Sequence, residues 1–135
     1  MQIRQQLPPN FDLIRIAVNP PADAIFCFGE DLYNPSGQEI PEDVLYHESI
    51  HTKQQGKNPG QWWNEWINNK DFRYEQELEA YTHQYHFIKK HYPARAAKEA
   101  LTDLARNLKT IYGLNINLQE TESKIRNKAK LLIDS

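Results

Sequence analysis

The stretch VLYHESIHTKQQG, residues 44–56, decides both the fold and the candidate site in this sequence. His47 and His51 stand four positions apart, and Glu48 directly follows the first histidine. Side chains four positions apart lie on the same face of an α-helix, so both imidazoles can reach one ion. In an H-E-x-x-H helix the glutamate stands beside the open coordination position of a zinc ion and takes a proton from water. The alternative interpretation is a solvated helix face that carries two histidines.

The flanking residues predict where this helix begins and ends. Pro41 suits the first helical position, and the acidic residues Glu42 and Asp43 suit the positive end of the helix dipole. Gly56 is a typical C-terminal stop. The helix is therefore predicted over residues 41–55.

A catalytic zinc site needs a third protein ligand, which must come from another element. The stretch RYEQELEAYTHQY, residues 73–85, offers Glu75, Glu77 and Glu79 on a second predicted helix over residues 71–91. Residues 75 and 79 lie about 200° from residue 77 on a helix of 3.6 residues per turn. When residue 77 faces the first helix, the other two glutamates point away from it.

At this point the chain resembles the gluzincin zinc peptidases, whose second motif is a helix that reads Glu-x-x-Ala-Asp or similar. The matching stretch is ELEAY, residues 77–81. The resemblance implies that Glu77 is the third ligand and that Ala80 is the small residue that lets two helices approach. In the family, the residue at the last position of this motif is commonly an Asp that supports a zinc-bound histidine. Tyr81 stands there in this chain, and its phenol brings no negative charge. The resemblance covers about residues 24–92 and looks closest to minimal gluzincins, some of them carried by phages.

The resemblance also implies an activity. Zn²⁺ held by His47, His51 and Glu77 would make the protein a metallopeptidase, with a peptide or protein as its substrate. Glu48 would be the catalytic general base toward the attacking water. The alternative is a catalytically weak or inactive zincin-like interaction or assembly module with a structural or vestigial zinc site. Small size and Tyr81 favour that alternative, whereas Glu48 favours the enzyme, because a closed structural site has no need of this carboxylate.

Other polar residues are weaker candidates. Arg73, one turn before Glu77, either orients the carboxylate of that ligand or forms a surface ion pair. Arg73 and Tyr81 are thus candidates for residues that contact the metal ligands without binding the metal. Tyr81, His83 and Tyr33 are the candidates for stabilising an oxyanion.

The N-terminal part of the chain predicts a small antiparallel sheet of two or three strands. FDLIRIAVN, residues 11–19, and AIFCFG, residues 24–29, are rich in β-branched or aromatic side chains. The second of these strands would also offer an edge to which an extended peptide can add. A hairpin over residues 31–43, with turn signals at residues 34–37, leads into the first helix.

Four to five helices follow the sheet, so the predicted class is α+β with a zincin-like core. Beyond the two helices of the candidate site, a third is predicted over residues 94–112 and ends at Gly113. Asn117 and Glu120 form a capping box before a short last helix. The three tryptophans between residues 62 and 66 are predicted to pack as a core plug.

Length and composition bound the class of protein. With 135 residues the chain is predicted to form one domain, residues 1–135, with its metal-site core over residues 24–92 and a helical extension over residues 93–135. The 16 basic and 18 acidic side chains nearly cancel and form no long block, which argues against nucleic acid or a membrane as a partner. Cys27 is the only cysteine, so an internal disulfide is excluded, and a buried thiol is expected. We expect a cytoplasmic protein, because we find neither a signal peptide nor a membrane-spanning run.

Overall fold

The structure is a computed structural model that describes residues 2–132. Within these residues three short strands and six helices follow one another, and the predicted α+β class is confirmed. The elements are β1 (Ile3–Arg4), α1 (Phe11–Ala17), β2 (Phe26–Phe28), β3 (Asp31–Tyr33), α2 (Glu42–Gln55), α3 (Pro59–Asn68), α4 (Lys70–His91), α5 (Ala94–Thr110) and α6 (Leu118–Lys130).

The strand predicted over residues 11–19 is wrong, because this stretch forms helix α1. Ile14 and Val18 are buried and Phe11 is partly buried, and these side chains recur at spacings of three and four, which is the period of a helix and not of a strand. Ile14 is 1% exposed and packs with the tryptophans of α3, whereas Ile16 on the opposite face is 82% exposed. The β-branched composition favoured a strand, but burial of one helical face outweighs that weak local preference.

The sheet has the order β1-β3-β2 and is mixed, not antiparallel as predicted. Strand β2 was predicted, and it pairs antiparallel with β3, while β1 adds to the other side of β3 in parallel. The hairpin therefore spans residues 26–33, around Gly29 at a φ of 65°, and not residues 31–43. The turn predicted at residues 34–37 is present, since the Gly37 amide donates to the Asn34 carbonyl over 3.0 Å.

The predicted ends of the main helices are confirmed within one or two residues. Helix α2 begins after Pro41 and ends at Gly56, whose φ is 56°. Helix α4 is capped by the side chain of Asn69, and α6 is capped by Asn117, whose Oδ1 accepts from the Glu120 amide over 3.0 Å. These signals act within a few residues of each helix end, so a linear sequence is enough to find them.

Two apolar clusters flank the helix pair α2 and α4. One joins α4, α5 and α6 through fully buried side chains such as Leu108 and Ile125. The other joins α1, the sheet and α3, and the three tryptophans lie in it at no more than 6% exposure, so the predicted core plug is confirmed. Tyr112, just after α5, packs against both clusters. Helices α5 and α6 are therefore part of the main core and not an appendage to it.

None of the helices within residues 2–132 combines the length and the apolar character that crossing a membrane requires.

Candidate metal centre

Helix α2 directs two imidazoles at one point. His47 and His51 are buried, and their Nε2 atoms lie 3.2 Å apart. The two rings meet edge to face, with centroids 4.8 Å apart. This arrangement follows from the spacing of four residues on a helix, which places both side chains on the face that packs along α4.

Helix α4 contributes the acidic member of the cluster. Oε2 of Glu77 lies 3.0 Å from Nε2 of His51, and its Oε1 lies 3.5 Å from Nε2 of His47. Glu77 is 2% exposed, whereas Glu75 and Glu79 lie on the exposed side of the helix. The structure thus brings together His47, His51 and Glu77, the three residues that the sequence singled out as ligands.

The spacing of these atoms fits a tetrahedral metal ion. Ligand atoms about 2.0–2.1 Å from one ion, at tetrahedral angles, are separated from one another by roughly 3.3 Å. The two Nε2 atoms lie 3.2 Å apart, and the carboxylate of Glu77 lies 3.0 Å from His51 through Oε2 and 3.5 Å from His47 through Oε1. Oε1 of Glu77 is buried without a hydrogen-bond partner, which is costly unless a cation satisfies it. The residues present therefore fit a zinc-type ion with two nitrogen ligands and one oxygen ligand.

The charged side chains of the cluster shift one another's pKa values. Burial alone would lower the pKa of His51, but the carboxylates of Glu77 and Glu48 outweigh it and raise that pKa to about 9. Burial alone would raise the pKa of the Glu77 carboxyl, but His51 and His47 hold it well below its ordinary value.

Glu48 lies beside this cluster without being part of it. Its Oε2 is 3.7 Å from Nε2 of His47, and the side chain is buried. Burial raises the pKa of this carboxyl, against the opposing effect of the two histidines. A carboxyl with a raised pKa next to a metal position is suited to accept a proton and return it.

The outer nitrogens of both histidines contact glutamines that the sequence did not single out. Nδ1 of His47 lies 2.9 Å from Oε1 of Gln84, and Nδ1 of His51 lies 2.7 Å from Oε1 of Gln54. Gln84 stands seven positions after Glu77, which is two helical turns, so its place on the inner face of α4 was visible in the sequence. The family resemblance instead indicated Tyr81 for the contact with a histidine.

Tyr81 contacts His47 through its ring and not through a hydrogen bond. The two ring centroids are 4.5 Å apart, and the Tyr81 hydroxyl instead pairs with the hydroxyl of Tyr112 over 3.0 Å. Burial raises the pKa of both phenols, so both stay protonated at neutral pH. Of the other oxyanion candidates, His83 packs against Tyr46 and Tyr33 lies in the sheet, and neither lines the cavity described below.

The surface ion pair expected for Arg73 is wrong, and its interaction with Glu77 is one of charge and not a hydrogen bond. The side chain is buried, so it is no surface ion pair, and within the described chain its hydrogen bonds go to main-chain carbonyls and not to Glu77. It donates to Trp66, Ile67 and Tyr112 over 2.7–3.0 Å and stacks on the Trp66 ring. Arg73 therefore holds the end of α3 against the end of α5.

A cavity of about 360 Å³ leads to the cluster. Its walls come from segments distant in sequence, with Ile14 and Val18 from the α1 region and Leu104, Ile111 and Tyr112 from the α5 region. His47, Glu48, His51 and Glu77 also line it. A mostly apolar cavity with a few convergent polar groups is typical of a binding site for a small molecule or a side chain.

The edge of β2 is already occupied at the residues nearest the cluster. The carbonyl of Cys27 accepts from Gln55 over 2.8 Å and from Trp63 over 2.9 Å, and the Gly29 amide donates to Gln55 over 2.6 Å. The expectation that an extended peptide adds to this edge is therefore wrong for residues 27–29. The side chains of Gln55 and Trp63 already bond the backbone groups that a further strand would need at these residues.

No protein-family model, curated protein or solved structure matches this chain.

Proposed function

We propose that the protein is a zinc-dependent metallopeptidase. The observation that carries the proposal is the convergence of two imidazole nitrogens and one carboxylate at tetrahedral spacing, with the separate carboxyl of Glu48 beside them. Three protein ligands leave one coordination position open, which is typical of catalytic zinc sites and not of structural ones.

Zinc bound by His47, His51 and Glu77 would supply a Lewis acid that polarises the scissile carbonyl and acidifies water. The chain itself supplies the proton transfers. Glu48 accepts the proton of the attacking water and returns it to the leaving amine. Its burial raises the pKa of the carboxyl, which favours uptake of that proton.

The Tyr81–Tyr112 hydroxyl pair is the best candidate for stabilising negative charge on the substrate. In such a pair one hydrogen lies between the two oxygens, and the second remains free to donate to a third group. Both residues line the cavity. The gluzincins usually have a carboxylate at the position of Tyr81, whereas the phenol of Tyr81 is a neutral hydrogen-bond donor. Tyr81 can therefore take part in donating a hydrogen bond to negative charge on the substrate, which a carboxylate at the same position cannot do.

The decisive experiment replaces Glu48 by glutamine. Glu48→Gln keeps the shape of the side chain but cannot accept a proton at neutral pH. We expect the variant to bind zinc like the wild type and to lose cleavage of casein or of a peptide library by roughly 100- to 10,000-fold. Glu75→Gln, an exposed change on α4, is the matched control and should cleave like the wild type.

Chelator-sensitive cleavage by the wild type, absent in Glu48→Gln, would support the peptidase. Equal cleavage by both proteins would indicate a contaminant. A zinc-loaded wild type without cleavage would favour the interaction or assembly module with a structural zinc site.

A further inference from the structure

Each histidine of the cluster is connected to a carboxylate through one glutamine. On one side Gln84 accepts from His47 and donates to Oδ2 of Asp43 over 2.8 Å. On the other side Gln54 accepts from His51 and donates over 2.8 Å to Oε1 of Glu79. The two chains of hydrogen bonds have the same order, imidazole to amide to carboxylate, although they use different helix positions.

The partners of each amide determine its orientation. The Nε2 of Gln84 faces a carboxylate, and the Nε2 of Gln54 faces a carboxylate and the Gln76 carbonyl, groups that can only accept. The opposite end of each amide is therefore the oxygen, which can only accept from an imidazole. Both histidines must donate from Nδ1 as a result, which leaves Nε2 of each ring for the metal position.

An amide in this position has a different electrostatic effect from a carboxylate. A carboxylate directly bonded to a metal-binding imidazole makes that ligand more basic, and metal sites commonly use one. Here a neutral group separates Asp43 from His47, so the orientation of the ring is fixed without a full negative charge in contact with it. Glu77 in the cluster and Glu48 beside it are already buried carboxylates, and a further buried anion would raise the cost of desolvation.

We infer that Gln84 is a positioning residue of the metal centre, which acts on His47 and is itself held by Asp43. Gln54 has the same role toward His51. The inference rests on the proposed zinc site, but not on peptide cleavage. Gln84 is buried and Gln54 is only half-buried, so the effect of Gln84 on the metal is the larger of the two.

The test measures zinc affinity by competition with a chromophoric chelator. Gln84→Leu removes the acceptor at similar volume and should weaken zinc binding by about 10- to 100-fold. Gln54→Leu should weaken it less. Gln55→Leu is the matched control, because the side chain of Gln55 is buried like that of Gln84 but bonds Cys27 and Gly29 and, within residues 2–132, no member of the cluster. It should lower stability and leave zinc affinity unchanged.

A purely structural role for Gln84 is distinguished by NMR of the zinc-loaded proteins. In the wild type the Nδ1–H protons of His47 and His51 should be protected from exchange with water by the amides that accept them. Gln84→Leu should lose only the His47 signal, and Gln54→Leu only the His51 signal. In the double variant Asp43→Asn/Gln84→Glu, the new carboxylate at position 84 can accept from His47, and the new amide at position 43 can donate to that carboxylate. This variant should recover the His47 signal and the zinc affinity.

Wild-type zinc affinity in Gln84→Leu, or a protected proton on Nε2 of His47, would overturn the inference, as would a wild type that binds no zinc. If Gln84→Leu does not fold, Gln54→Leu carries the same test, and unchanged protection of the His51 Nδ1–H proton would overturn the inference. A zinc-loaded protein without peptidase activity would overturn the proposed function and leave these outcomes intact.

Discussion

The indole nitrogen of Trp66 donates a hydrogen bond over 3.0 Å to Oε2 of Glu77. The acidic member of the cluster is thus oriented by α3, whose three tryptophans were predicted to pack as a core plug. This bond engages Oε2, whereas Oε1 has no hydrogen-bond partner among residues 2–132 and lies 3.5 Å from Nε2 of His47. The tryptophan therefore combines a packing role with the orientation of a metal ligand.

Loss of this bond should weaken metal binding. Trp66→Phe keeps an aromatic ring in the core but removes the N–H donor, so the carboxylate of Glu77 loses its orienting partner. We expect zinc affinity to fall by about tenfold, at the low end for groups that hold a metal ligand in place. Trp63→Phe is the control, since its indole donates to the Cys27 carbonyl and not to the cluster. Chelator competition on both variants is the measurement, and equal zinc affinities would contradict the assignment.

Zinc content should separate the glutamates of α4. Glu77→Gln removes the only acidic member of the cluster, and we expect it to lose zinc during gel filtration. Glu75→Gln, on the exposed side, should retain about one zinc per chain by elemental analysis. Zinc at a thousand times its Kd should stabilise the wild type by about 4 kcal/mol. A Glu77→Gln protein that retains zinc, beside a wild type that also binds it, would refute the ligand set.

Two glycines should respond in opposite ways to alanine. Gly56 ends α2 with φ 56° and ψ −129°, a conformation that side chains avoid, although no atom lies within 4 Å of the added Cβ. Gly56→Ala should therefore lower the free energy of unfolding by about 1–3 kcal/mol through backbone strain alone. Gly60 lies in the first turn of α3 with only ordinary contacts, so Gly60→Ala should raise it by about 0.4–1 kcal/mol. Urea unfolding measures both, and a neutral Gly56→Ala would contradict the backbone conformation.

Cys27 should be chemically inert in the folded protein. Burial raises the pKa of its thiol to about 12, and the thiol contacts Thr52 and the Gly29 carbonyl. A pKa raised in the folded state means that the neutral thiol stabilises the fold below the unfolded value of about 8.5, and that this contribution fades as the pH rises toward 12. We expect almost no reaction with iodoacetamide at about pH 8 and rapid reaction after unfolding in guanidinium, because the thiolate is the reactive form. Mass spectrometry measures both rates, and fast native labelling would show that the thiol is accessible.

The parts of the candidate site that are local in sequence were predicted well. The geometry of His47 and His51 depends only on helical periodicity, and the end of α2 depends on one glycine. The choice of Glu77 over its neighbours came from a resemblance to a short motif, and the packing of α4 against α2 places that residue inward. In each case the deciding interaction lies within one helix, or between the two helices that carry the cluster.

The parts that failed depend on contacts between distant residues. Residues 11–19 have a composition typical of strands, but the apolar pocket beside Trp66 favours the helical face of Ile14. Arg73 bonds the carbonyl of Tyr112, which lies 39 positions later, and no local pattern indicates that pairing. Strand β1 has two residues and exists only because β3 offers it a partner.

The sequence by itself determined that this protein carries an H-E-x-x-H helix, a second helix with one suitably spaced glutamate, and the signals that end both. Only the tertiary structure decided that Gln84 and not Tyr81 bonds His47, and that Trp66 orients Glu77. The physical reason is that helical spacing determines only the face on which a side chain lies. A hydrogen bond also depends on the angle at the donor and on a distance that must be right to within a few tenths of an ångström. Those positions are set by the packing of α2, α3 and α4 against one another, which no single segment encodes.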